Sequence, residues 1–184
     1  AFFVAFRDLD GQAVGYAAQE QASTLAVAFG CEQRFGAGPA AELDLAGFGG
    51  IGQAEANGLL VAHVGPNAQG IVQMGRRQHT HLAMQWGPSV ELQHAAVSRL
   101  AVVASASNSA VVGFQARGTG STIENAFIAV LAISADMGLT VGSPHVLSPA
   151  PVRQLAVAAL GEARIVAAYV DARNPERELT LRLS

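Results

Sequence analysis

Short apolar runs recur along this chain, each cut off by turn residues: FFVAF (Phe2 to Phe6), LLVAH (Leu59 to His63), AVVGF (Ala110 to Phe114) and IVAAY (Ile165 to Tyr169). Every run ends in an aromatic ring or an imidazole, and successive ends lie 57, 51 and 55 residues apart. A glycine followed by a large apolar residue five positions on keeps the same step, at Gly30 and Phe35, Gly87 and Leu92, Gly142 and Leu147, with intervals of 57 and 55. A third marker is the likeness of Leu100 to Arg117 to Leu155 to Arg173, with one residue inserted. Three markers in one phase define an internal repeat.

Each repeat divides into about four short segments. In the third copy they are Leu100 to Ser105, Ala110 to Gln115, Ala126 to Ser134 and Leu139 to Leu147, separated by SASNS, ARGTGS and ADMG. Gly, Asn, Asp and Ser supply the positive φ angles and local hydrogen bonds of tight turns, so the segments read as hairpin strands. The Ala-rich pieces could in principle be helical, since Ala is the best helix former. They are too short and too often broken by Gly or Asn, and they carry Val, Ile, Phe and Thr, which favour strands. The Gly-rich stretch Gly47 to Gly58 reads as a loop with at most one helical turn.

Four antiparallel strands per repeat, repeated at this interval, predict an all-β fold: a β-propeller segment of four-stranded antiparallel blades, about three and a half in number. A blade cannot bury both faces of its sheet alone, so neighbours must stack about an axis. The expected organisation is one segment over 1–184, with blades at about 1–38 (first strand missing), 39–95, 96–150 and 151–184 (last strand missing). The chain opens at a second strand and closes on ELTLRL (Glu178 to Leu183), which reads as a third. The small residues of LAVVAS and LAVAAL suit strands that crowd together near the axis.

LAVAALGEARIVAAYVDAR resembles a divergent class of propeller repeats found in large bacterial and microalgal proteins. The matching pieces are Tyr169-Val170-Asp171 and Phe6-Arg7-Asp8, with an aromatic-x-Asp strand end, and Ala28-Phe29-Gly30. The second and third repeats depart from that pattern at His63-Val64-Gly65 and Phe114-Gln115-Ala116. The resemblance implies architecture and a binding or scaffolding role, and brings no catalytic residues with it.

Composition narrows the function classes. Apolar residues make up 51% and charged residues 14%, outside the regime that keeps chains unfolded. Net charge is −3, with eleven Arg, no Lys and no basic stripe, so no nucleic-acid partner is expected. The longest apolar stretch, Ala126 to Ser134, is too short for a membrane span, and AFFVAFRD lacks the basic start and cleavage site of a signal peptide. Cys31 is alone, which excludes an intrachain disulfide and reads as a buried thiol.

Candidate chemistry is sparse. His79 and His81 fall on one face of a strand at a spacing metal ligands use, with His63, His94 and His145 as possible third ligands; surface or edge histidines are the preferred reading. Asp8 and Asp10 before Gly11 suggest an oxygen-rich calcium loop but lack its terminal Glu, and a hairpin turn accounts for them. GFGGIG (Gly47 to Gly52) has no βαβ context for phosphate, and the serines of GSTIE and VGSPH lack a nucleophile elbow. Glu176 and Glu178 read as a solvated turn, and Trp86, equivalent to Phe29 at the end of an outer strand, as a packing residue.

No catalytic, cofactor-binding or metal residues are therefore expected, and no cofactor. The expected function is a non-catalytic scaffold or protein-interaction propeller, a subunit or part of a larger assembly, which is either a segment of a larger propeller or has its open edges covered by other protein subunits. The alternative is an extracellular propeller that binds a glycan or small ligand; a channel-sited enzyme would need acids repeated on the inner strands, which carry Ala, Val and Leu instead. The compartment is open.

Overall fold

The structure is a computed structural model describing residues 2–21, 26–29, 32–48, 58–78, 83–92, 95–117, 124–161, 164–173 and 179–183. These residues are all-β, without a helix, and form separate antiparallel sheets of three to five strands. The first sheet contains β1 (Phe2–Arg7), β2 (Gln12–Gln21), β3 (Ala26–Phe29) and β4 (Gln33–Pro39), with both β3 and β4 on β2. The second runs in chain order through β5 (Leu43–Phe48), β6 (Gly58–Val64), β7 (Gly70–Arg77) and β8 (Met84–Glu91). In the third, β9 (Ala95–Ala106), β10 (Ser109–Arg117) and β11 (Glu124–Ile133) are followed by β12 (Leu139–Val141) and β13 (His145–Ser148), both on β11. The fourth holds β14 (Val152–Ala159), β15 (Ile165–Asp171) and β16 (Leu179–Leu183).

The four apolar runs that announced the repeat fall on β1, β6, β10 and β15, and each pairs with the strand that follows it. Where a strand also precedes the run, as β5, β9 and β14 do, it pairs on the other side. The repeated glycine-to-apolar marker has a structural counterpart too. Phe35, Leu92 and Leu147 are all buried, beside the opening residues of β2, β7 and β11.

Alternation along each strand sends neighbouring side chains to opposite faces, so both faces of an inner sheet can be buried. Leu59 and Val61 of β6 face Ala13, Phe35 and Ala40, while Leu60, Ala62 and Val64 join Val112, Phe114 and Leu131 of the third sheet. The third and fourth sheets meet through Ala126, Leu147, Val152, Ala167 and Tyr169. Each sheet thus packs on its neighbours in sequence. Fully burying a side chain such as Phe114 is worth about 1.5–3 kcal/mol, so these seams carry most of the cohesion between sheets.

Close approach depends on missing side chains. A Cβ on Gly113 would lie 3.1 Å from Val157 Cγ1 and 3.2 Å from Leu155 Cδ2 of the fourth sheet, and one on Gly87 would strike the Met137 carbonyl of the third. The predicted strand Leu139 to Leu147 is in fact two, β12 and β13, because Gly142-Ser143-Pro144 interrupts the pairing. Proline has no N–H to give a ladder. The loop expected over Gly47 to Gly58 begins later than predicted, since Gly47 and Phe48 complete β5 and Gly58 opens β6; residues 49–57 lie outside the described residues.

Candidate functional site

The polar side chains that could do chemistry are concentrated where one sheet passes the chain to the next. Asp8 closes the β1–β2 hairpin: its Oδ1 accepts the backbone N–H groups of Asp10 (3.0 Å) and Gln12 (2.8 Å), and Gly11 takes φ +78°. Asp171 at the matching end of β15 accepts the N–H of Arg173 (2.8 Å). Hydrogen bonds from the Arg173 side chain and backbone hold the Asp171 carboxyl below its ordinary range. The aromatic-x-Asp ending is therefore a turn cap, as the hairpin reading of Asp8 requires. In the second sheet, where Gly65 follows β6, the Gln69 side chain accepts the Asn67 N–H (2.9 Å) and does the same work.

Next to these caps, side chains reach into the following sheet. Arg7 Nη1 donates to the carbonyls of Ala40 and Ala41, both at 3.1 Å, on the lead-in to β5. Gln115, which follows Phe114 as Arg7 follows Phe6, is buried; its Oε1 accepts the Val152 N–H at the start of β14 (2.5 Å) and its Nε2 donates to Glu124 (2.5 Å). An unpaired buried backbone polar group is costly, so each link ties the entry of one sheet to an earlier strand of the sheet before it.

A further group of charges lies between the start of β5 and β9. Glu42 Oε2 accepts the N–H of Leu100 (2.9 Å) and Asp44 Oδ2 that of Val102 (2.7 Å), while Arg99 lies 3.9 Å from Glu42. Ala96 and Arg99 adopt positive φ, 52° and 51°, where the β9–β10 register shifts. Bulges of this kind bend and twist a strand. Sequence reasoning missed this pair; its signal was the alternating acids of Glu42-Leu43-Asp44 on an otherwise apolar segment, where the matching places in β14 hold Gln154 and Ala156.

The expected metal candidates do not converge. His63 is 2% exposed, its Nδ1 has no hydrogen-bond partner among the described residues, and burial lowers its pKa. His145 is exposed at the start of β13, opposite Ile128. His79, His81 and His94 lie outside the described residues, as do Cys31, Glu176 and Glu178. Among the described residues, no three His, Cys, Asp or Glu side chains are grouped to hold a metal ion. Among the described residues, no helix is long and apolar enough to cross a membrane.

Trp86 is a packing residue. Its ring meets Phe35 edge-on, centroids 4.8 Å apart, and a Cβ on Gly75 would lie 2.6 Å from it. It stands near the start of β8 and not at the strand's end as expected, because β8 continues to Glu91 along β7. On the far face of the first sheet, Phe6 stacks on Tyr16 (6.0 Å), whose hydroxyl donates to Glu32 (2.8 Å); Arg34 donates to the other Glu32 oxygen (3.0 Å). These two hydrogen bonds, Tyr16 first, hold the Glu32 carboxyl below its ordinary range. No family model matches this chain, and no curated protein matches it.

Proposed function

We propose that the chain is a non-catalytic scaffold or protein-interaction module, built as consecutive β-propeller blades that other subunits adjoin. The observation that carries this reading is the likeness of the four sheets: in each, the apolar run pairs antiparallel with the strand that follows it, and each sheet packs on its sequence neighbours. Sheets of this kind, related by a constant step along the chain, are the units from which propellers are assembled.

The use of the polar groups supports the non-catalytic part. Asp8, Glu42, Asp44, Gln115 and Asp171 all accept backbone N–H groups, and Arg7 donates to backbone carbonyls. Such groups hold the structure together and do not converge on a substrate. The exposed apolar side chains Phe6, Leu179 and Leu181 sit on the outermost sheets, where a partner would meet them.

A crystal structure of the chain tests the reading. The expected result is β5, β9 and β14 arranged side by side around one axis. A flat sandwich, or a closed ring in which the fourth sheet covers the first, would overturn it.

A further inference from the structure

The seam between the first and second sheets holds an imidazole where the other two seams hold a phenyl or phenol ring. At the end of the repeated apolar run stand His63 in the second sheet, Phe114 in the third and Tyr169 in the fourth. Phe114 joins the cluster shared with the second sheet, and Tyr169 the cluster shared with the third, so each turns toward the sheet before it. His63 follows Val61 by two places on β6, and its cross-strand neighbour Leu43 packs on Ala13, Phe35, Leu59 and Val61; the imidazole therefore faces the first sheet. It is sealed there, with Nδ1 unpartnered among the described residues. A phenyl ring does not titrate and a tyrosine does so only near pH 10, so of these three rings the imidazole alone charges in weak acid.

The strands around His63 offer that charge no close counterion. On its own face, β5 presents Leu43 and Leu45 and β7 presents Ile71 and Gln73, with the cation Arg77 at the far end of β7. Glu91 of β8 lies in the same row, exposed and two strands away, about 10 Å off. Glu42 and Asp44 are turned to β9 on the opposite face. On the first sheet, Ala13 and Gly15 of β2 and Gln33 and Phe35 of β4 are neutral. Arg7 of β1, opposite Ala13, is a cation that holds the Ala40 and Ala41 carbonyls, and the Asp8 carboxylate is engaged in its own turn. An imidazolium closed into this seam is a desolvated charge without a carboxylate partner.

We propose that proton uptake by His63 opens the seam between the first and second sheets, while the seams at Phe114 and Tyr169 hold. In the open form the ring meets water and returns to its ordinary pKa of 6.5, whereas burial keeps it lower in the closed form. The open form therefore gains as pH falls below about 6.5, by up to about tenfold for each pH unit, until the closed value is reached. The first sheet stays tethered by the chain between β4 and β5, so closure on return to neutral pH is intramolecular. This goes beyond the scaffold reading and needs only that the two sheets meet.

Trp86, the single tryptophan, reports on this seam, because its ring on β8 meets Phe35 of the first sheet edge-on at 4.8 Å. Between about pH 7.5 and about pH 5, its emission should move to the red and its quenching by acrylamide should rise. Far-UV circular dichroism should be retained, the β10 amides should stay protected from hydrogen exchange, and return to neutral pH should reverse the change. His63→Phe, which installs the ring type of Phe114, should leave Trp86 emission unchanged over the same range; His63→Leu takes its place if the larger ring fails to fold. A wild-type Trp86 indifferent to pH overturns the proposal, and so does an equal shift in the variant, which would assign the change to other groups. Loss of circular dichroism in step with the red shift overturns it too, since the whole chain would then be unfolding.

Discussion

Phe6 and Phe114 stand at the same place in two sheets, and so do Val72 and Leu181, yet one member of each pair is sealed and the other open to water. Each sealed residue lies on a strand paired on both sides and against the cluster that joins the second and third sheets, while each open one lies on a strand paired on one side only. A side chain at these places becomes core only when a second sheet lies on it, which makes the inner seams the source of cohesion and leaves the outer faces with little intrinsic share in stability.

The largest test of that contrast truncates both rings. Phe114→Ala should cost about 3–5 kcal/mol in chemical denaturation, and Phe6→Ala in dilute solution under about 1 kcal/mol. Equal losses would break the comparison. A smaller effect is expected at the links between sheets. Gln115→Val, which installs the residue type found at the matching Val64 and Val170, strands the Val152 N–H and should cost about 1–3 kcal/mol despite its apolar gain. Asp44→Ala removes the acceptor for Val102 and should cost about 1–2 kcal/mol, with the lost protection at Val102 read by amide hydrogen exchange.

The smallest effect concerns pH. Burial lowers the folded-state pKa of His63 below its ordinary 6.5, so the unfolded chain binds the proton first as the medium acidifies. Its influence on stability is absent above about pH 6.5 and grows destabilising as pH falls from there toward the folded value, where it levels off. Unfolding midpoints measured across that window should fall in the wild type and fall less in His63→Leu. Parallel curves for the two proteins would show that the imidazole is not sealed between sheets.

Much of this was legible in the sequence, for a physical reason. Strands of period two leave their mark in every residue, and the apolar runs ending at Phe6, His63, Phe114 and Tyr169 located one strand in each sheet. The turn role of Asp8 was legible because its partners, Asp10 and Gln12, are adjacent in sequence. Glu42 and Asp44 were not, because their partners lie 58 residues away and are aimed by bulges at Ala96 and Arg99, neither of them a glycine that would have marked the spot. The burial of His63 was hidden for a related reason: it depends on the sheet laid over it, which no local pattern reports.

The paired carboxylates at the start of β5 have one more consequence. Glu42 and Asp44 are two residues apart, as are the Leu100 and Val102 amides they grip, so the two strands fit like a key with two teeth. Sliding one strand by a single residue would bring negative oxygens toward carbonyls, and sliding by two would leave one tooth empty. Apolar packing alone tolerates small offsets; this key fixes the height at which the second and third sheets sit beside each other.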